Sequence, residues 1–203
     1  MKKWKCTVCG YIHEGDKPPL KCPQCGADMY QFILHQPLDP DLEAGLKRAF
    51  AGESQAHVRN QAFAAKAQAE GYPQIAALFQ AVAEAERVHA AEYLKFLEGV
   101  AGSTEENLRR AFENENKARD EAYPELIKQA FAAKRDDLAW SYIRARDVEE
   151  RHAALYKSAL SALAGERRVA YHVCQVCGYV FEDEPPEICP VCKSGRDKFK
   201  VVE

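Results

Sequence analysis

Ala85-Glu86-Arg87-Val88-His89-Ala90 and Glu149-Glu150-Arg151-His152 each set a glutamate and a histidine three residues apart in Ala-rich, helix-favouring sequence. Residues i and i+3 share one helix face, so each stretch presents a carboxylate and an imidazole in the same direction. Reading outward, each is preceded by a further helical glutamate, Glu53 at an interval of 33 residues and Glu115 at 34. One helix-pair module is thus used twice, and four helices can aim Glu53, Glu86, His89, Glu115, Glu149 and His152 at a common centre. Buried carboxylates are costly unless paired or metal-bound. Six ligand-type side chains at matched intervals therefore imply a two-metal site rather than solvated surface positions. Glu84 and Glu150 read as surface residues, His57 as a surface or supporting histidine, and His13, His35 and His172 carry no assigned role.

Around these motifs the chain reads as mainly α: a four-helix bundle over 37–165 flanked by two small β/turn modules, 1–36 and 166–203. Asp39 is a plausible N-cap with Pro40 at the first helical position. Leu42, Leu46, Ala49, Phe50 and later Ile75, Leu78, Phe79, Val82 recur at helical steps. Gly71-Tyr72-Pro73 separates the first two helices, and Gly99 through Gly102 ends the second. Ser103-Thr104-Glu105-Glu106 fits a capping box opening the third. Pro124 is expected to kink or break that helix, Lys134 to Asp137 leads into the fourth, and Gly165-Glu166-Arg167-Arg168 links to the last module.

The 203 residues are 47% apolar, enough for a core, with a formal charge of -3 and no basic run. Nucleic acid and anionic membranes are thus unexpected partners. No apolar stretch approaches a membrane span, and Met1-Lys2-Lys3-Trp4-Lys5-Cys6 has no apolar core or cleavage motif, so cytoplasmic residence is expected.

All eight cysteines fall in the two end modules, as Cys6-x-x-Cys9-Gly with Cys22-Pro-x-Cys25-Gly, and Cys174-x-x-Cys177-Gly with Cys189-Pro-x-Cys192. Paired Cys-x-x-Cys turns direct four thiolates at one tetrahedral ion, whereas disulfides need no such spacing. A module this small folds around its metal, with Trp4, Tyr11, Tyr30 and Phe32 the expected core of the first. Zinc and iron both accept four thiolates.

Cys-Thr-Val-Cys-Gly-Tyr and Cys-Gln-Val-Cys-Gly-Tyr, each followed by Cys-Pro-x-Cys and aromatics, resemble rubredoxin knuckles, which hold one iron and shuttle one electron. That resemblance implies one iron per module, although zinc suits the same ligands. The helical region resembles rubrerythrin: Phe50-Ala51-Gly52-Glu53-Ser54-Gln55-Ala56, then Ala85 to Ala90, then Glu115 with Tyr123-Pro124, then Glu149 to His152. A carboxyl-terminal module is the usual rubrerythrin layout and an amino-terminal one the reversed layout; this chain has both. The resemblance implies a ferritin-like bundle in which the four glutamates and two histidines hold a carboxylate-bridged pair of irons.

Rubrerythrins typically have Glu-x-x-Glu on the third helix, the second carboxylate acting as a seventh, redox-dependent ligand. Here that position is Ala118, and Glu113 and Glu121 have the wrong spacing to replace it. Ala56 stands three after Glu53 as Ala118 stands three after Glu115, so the repeat implies a symmetric set closer to bacterioferritin's, with His89 bound in both oxidation states. A tyrosine often present on the first helix is Asn60, while Tyr123 is retained.

In a ferritin-like site the second and third helices run in the same direction, so their connection must span about 30 Å, from rises of about 15 Å after His89 and about 16 Å before Glu115. Residues 99–103 reach only about 17 Å when extended. Exchange of helix pairs between two chains removes the strain, and a swapped homodimer is expected. By resemblance the reaction is reduction of hydrogen peroxide to water, with electrons relayed through the irons of the two cysteine modules. No dinucleotide fingerprint follows a strand, so NAD(P)H would act through an external reductase. A ferritin-like ferroxidase or iron-handling role is the alternative, and a structural zinc-knuckle protein a third reading.

Overall fold

The computed structural model describes residues 1–97, 100–162 and 169–202. They form two units, Met1–Val100 and Ala101–Glu203, and each combines one cysteine module with helices of the repeat. The proposed links at Gly99 and at Gly165 to Arg168 lie outside the described residues.

In the first unit, β1 (Lys2–Cys6) lies between β2 (Ile12–Gly15) and β3 (Phe32–Leu34), both antiparallel to it. Trp4 pairs with His13 on one side and Leu34 on the other. The module's core is Cys6, Cys22 and Phe32, with Trp4, Tyr11 and Ala27 against them. Tyr30, expected in that core, is instead 78% exposed, because it sits in the single 3₁₀ turn Met29–Gln31, which turns its ring outward while Phe32 enters the sheet.

Helix α1 (Pro40–Ala69) starts as its sequence requires: Asp39 Oδ1 accepts from the Asp41 N–H at 2.9 Å, and Pro40 occupies the first turn. Gly71, at φ 83°, reverses the chain into α2 (Pro73–Leu94), a conformation L side chains resist. The two helices meet through alanines, Ala56, Ala64 and Ala67 against Ala76, Ala83 and Ala90. The last three recur every seven residues, and small side chains let the backbones approach closely. The larger apolar residues read as core do not all enter it: Leu42, Ile75 and Leu78 are exposed, Leu78 at 57%. An alanine seam holds the pair together and leaves its bulkier apolar face uncovered.

In the second unit, α3 (Thr104–Lys117) opens on the expected capping box, Ser103 with Glu106. It runs into a π-helical turn (Ala118–Ala122) and then α4 (Tyr123–Ala132). Pro124 therefore does not break the helix. It stands in the first turn of α4, and the wider π turn absorbs the amide hydrogen bond it cannot donate. Lys134, at φ 57°, turns the chain into α5 (Asp136–Ser161), whose buried residues are Ala139, Val148 and Ala153. The second module repeats the first, with β4 (Tyr171–Cys174) between β5 (Val180–Glu182) and β6 (Phe199–Val202). Its core includes the adjoining rings of Tyr179, Phe181 and Phe199. Among the described residues no helix is long and apolar enough to cross a membrane.

Candidate metal centre

The eight cysteines gather as two groups of four. In the first, Cys6 Sγ lies 3.8 Å from Cys25 Sγ and Cys9 Sγ 3.6 Å from Cys22 Sγ. In the second, Cys174 to Cys192 and Cys177 to Cys189 are both 3.7 Å. A tetrahedron with metal–sulfur bonds of ~2.3 Å has edges of about 3.8 Å, whereas a disulfide requires about 2.05 Å. The spacing fits a tetrahedral ion at each site.

The same turns that position the sulfurs supply N–H groups. The Gly10 and Gly178 N–H groups donate to the carbonyls of Cys6 and Cys174, both at 2.9 Å, and the glycines take φ near 80° to do so. Burial pushes the Cys22 thiol up, but the Cys25 and Gln24 N–H groups and the neighbouring thiols outweigh it and bring it to about 7. At Cys9 the Tyr11 N–H pulls down, yet burial and the other three thiols lift it to about 12. Burial likewise opposes ionisation of Cys174, while the Ser194 hydroxyl and the Val176 and Cys177 N–H groups bring it to about 6. Cys177, mainly through burial, is raised. Some thiols in each module ionise readily and others resist, so a bound cation is what makes four thiolates compatible.

The helical donors form two groups of matching geometry. Glu53 of α1 and Glu86 and His89 of α2 make the first, with their donor atoms within 4.8 Å of one another. His89 Nδ1 lies 3.0 Å from Glu86 Oε2 and 4.0 Å from Glu53 Oε1. Glu115 of α3 and Glu149 and His152 of α5 make the second, at 2.9 Å from Nδ1 to Glu149 Oε2 and 4.0 Å to Glu115 Oε1. All six sequence candidates are thus brought together as two triads, one in each unit. Glu113 and Glu121 are exposed and outside them, as their spacing implied, and Glu84 faces solvent paired with Arg87. His57 instead ties the helix pair together, its Nδ1 2.7 Å from the Ala83 carbonyl. Asn60 donates to the Ala56 carbonyl.

The second triad shows how such a group takes a cation. His152 Nε2 lies 3.1 Å from the Gly178 carbonyl, which can only accept, so Nε2 carries the hydrogen. Nδ1 of the neutral ring is then a lone pair facing a carboxylate oxygen at 2.9 Å. Two acceptors at that distance need a positive charge between them, either a second proton on the ring or a metal ion. Glu115 reports the same demand: burial first, then the adjacent Glu149, push it up to about 7 despite His152. The group is therefore built around a cation.

Beyond Tyr123, which the family pattern had kept, sequence reasoning missed several neighbours. Tyr123 donates to Glu149 Oε1 at 3.4 Å, and burial, then Glu149, raise its pKa. Tyr156, raised by burial and then by Glu115 and Glu149, flanks the same carboxylates. It stands four residues after His152 as Tyr93 stands four after His89, so the doubled motif could have been extended to Glu-x-x-His-x-x-x-Tyr. Arg151 fastens the module to α5, donating to the Val180 carbonyl at 2.9 Å and meeting Glu182 at 3.3 Å. A cavity of about 530 Å³ lined by Leu108, His152, Leu155, Tyr156, Tyr171 and Gly178 opens beside the triad. The repeat does not extend to exposure: the His89 side chain is 55% exposed and that of His152 24%.

The rubrerythrin family profile matches residues 45–160, and the profile of the rubrerythrin rubredoxin-like domain matches 4–33 and 172–200. A rubrerythrin of Porphyromonas gingivalis is 36% identical over 177 residues, 78% of this chain and 88% of that protein. Nigerythrin of Nitratidesulfovibrio vulgaris is 33% identical over 167 residues, 76% and 83% of the two chains. Reverse rubrerythrin-1 of Clostridium acetobutylicum is 33% identical over 135 residues, 58% and 75%. The structure of partially reduced nigerythrin aligns with a TM-score of 0.50 at 31% identity, covering 83% of this chain and 89% of that one. With a ferritin-like helical repeat, Glu/His groups for a di-iron site and a rubredoxin-like four-cysteine site at each end, the chain belongs to the rubrerythrin family.

Proposed function

We propose that the protein reduces hydrogen peroxide to water at a di-iron site, drawing electrons through its four-cysteine modules from an external NAD(P)H-dependent reductase. In this reading Glu53, Glu86, His89, Glu115, Glu149 and His152 hold the two irons, and Cys6, Cys9, Cys22, Cys25 and Cys174, Cys177, Cys189, Cys192 hold one each. The pair of irons, when bound, supplies the two electrons that cleave the O–O bond. The balance is one peroxide, two electrons and two protons to two waters.

The observation that carries the reading is the hydrogen bond from His152 Nε2–H to the Gly178 carbonyl, one residue after Cys177. It joins a rubredoxin-like knuckle directly to a ligand histidine, the arrangement an electron relay between the two sites needs. The chain's other residues serve the same end. Carboxylates supply hard donors that suit ferric iron, Tyr123 OH offers a hydrogen bond or proton at Glu149 Oε1, and the mainly apolar cavity beside His152 leaves room for a small molecule next to the triad.

Each triad provides one imidazole and two carboxylates, half of a six-ligand set, and the helix pair that carries Glu53 leaves Leu42, Ile75 and Leu78 exposed. Both points support a homodimer in which the α1–α2 pair of one chain closes on the α3–α5 helices of another. The domains follow as 1–36, 37–165 and 166–203, in a soluble, cytoplasmic protein.

A ferroxidase role is the second reading, favoured by Ala118, which leaves no seventh carboxylate at the start of the π turn. Steady-state peroxide consumption with a reductase, set beside ferrous-iron oxidation, separates them. The proposal expects peroxide turnover that H152A abolishes while iron stays in both four-cysteine modules. Iron oxidation without peroxide turnover would reverse the order.

A further inference from the structure

The backbone hydrogen bonds around the sulfurs correspond in the two cysteine modules, which makes a difference in side-chain donors there easy to isolate. The Cys22 N–H donates to the Ala27 carbonyl at 2.7 Å and the Cys189 N–H to the Ser194 carbonyl at 2.8 Å. The bridges Lys21 to Asp28 and Ile188 to Gly195 follow in register. Ser194 thus occupies the place of Ala27. Its Oγ lies 3.1 Å from Cys192 Sγ and 3.3 Å from Cys174 Sγ. A metal-bound cysteine is a thiolate with no hydrogen to give, so the hydroxyl must be the donor. Ala27 has no such group.

Reducing a four-thiolate iron site adds one negative charge, spread largely over the sulfurs. A donor aimed at them stabilises the reduced form and raises the potential. Two further differences act at the same turn. Lys193, where the first module has Gly26, adds an exposed cation and acts in the same direction. Cys25 is exposed whereas Cys192 is half-buried, so water favours the reduced state of the first module. The hydroxyl touches two sulfurs directly, while the modules differ in exposure at one cysteine of the four, Cys25 against Cys192, so the hydrogen bond decides the order.

We infer that Ser194 is a tuning residue that holds the carboxyl-terminal four-cysteine site at a higher potential than the amino-terminal one. An electron shared between the modules then settles on the module whose Gly178 carbonyl holds His152. This rests on the reading of both modules as iron sites in an electron relay. One electron leaves the amino-terminal module and one enters the carboxyl-terminal module, with no bond made or broken and no proton moved. An external one-electron donor refills the first, and two such passages match one peroxide.

Anaerobic potentiometry of the full-length, iron-loaded protein, following the visible absorption of cysteine-bound iron, tests this without reference to peroxide. Two one-electron steps are expected. S194A should lower the upper step by about 59 mV, a roughly tenfold change in electron partition, and leave the lower step in place. A27S should raise the lower step by a similar amount, and S194T, which keeps the hydroxyl, should retain the wild-type curve. Iron content and the ferric spectrum of each variant show that the site is intact. A single wild-type step, an S194A shift in the lower step, no shift in either serine variant, or an S194T curve that follows S194A each overturns the inference. Modules that hold zinc alone show no step and overturn it equally. Shifts as expected in a protein that does not consume peroxide uphold the tuning role and sink the proposed function instead.

Discussion

The cation requirement of the second triad can be measured with the triad empty. Burial and the neighbouring Glu149 raise Glu115 from 4.5 to about 7. A carboxyl whose folded pKa lies above its unfolded value favours the fold while protonated, and that contribution is lost as pH climbs from about 4.5 through about 7. Carried through the linkage relation, a shift of that size amounts to roughly 2–3 kcal/mol between pH 5 and pH 8 as a ceiling. Water reaching the partly exposed group screens part of it, leaving about 1–2 kcal/mol expected. The perturbation is E115Q, which removes the titration and keeps the shape. Urea unfolding followed by helical circular dichroism, with zinc in the four-cysteine modules and the carboxylates metal-free, gives the difference between wild type and variant at each pH. Relative to E115Q, wild type should lose about 1–2 kcal/mol between pH 5 and 8, and added ferrous iron should reverse that loss. A difference that is flat with pH, or that grows in favour of wild type without metal, refutes the argument that this group is built around a cation.

Other outcomes follow from the same geometry. C177S should remove one metal per chain and unfold the carboxyl-terminal module locally, while C9S does the same only at the amino-terminal end; metal analysis and amide exchange of residues 169–202 and 1–36 read the two apart. Y123F should leave iron content unchanged and slow peroxide turnover by roughly tenfold, the scale of a lost hydrogen bond or weakened proton donation, a result checked by steady-state kinetics with matched metal loading. Light scattering should give twice the 22.8 kDa chain mass, and mixing E53A with E149A protein should restore one intact site in a swapped dimer; an iron-loaded monomer contradicts the exchange of helix pairs.

Much of this was legible because the signals are periodic. The Cys-x-x-Cys turns and the Glu-x-x-His pairs gather ligands through local geometry, so spacing named fourteen candidates, which lie in two groups of four and two of three, the six helical ones as two triads where a common centre was expected. Asp39 and the Ser103–Glu106 box started α1 and α3 for the same local reason. What escaped depended on context beyond a few residues. Tyr30 looks like core by composition, but a 3₁₀ turn faces it outward. Pro124 looks like a breaker, but a π turn just before it accommodates the missing donor. Leu42 and Leu78 have the period of buried residues, yet alanines form the helix contact and leave them uncovered. The His152 to Gly178 bond joins a helix to a cysteine module, and no ligand-spacing pattern anticipates a bond to a backbone carbonyl.

The most direct test of the central claim is one mixing experiment. The anaerobically reduced, iron-replete protein is combined with stoichiometric hydrogen peroxide while the absorption of the cysteine-bound iron is followed in time. Rapid reoxidation of both four-cysteine modules, at one peroxide per two electrons, is the predicted result; slow or absent reoxidation with every metal site filled contradicts the account.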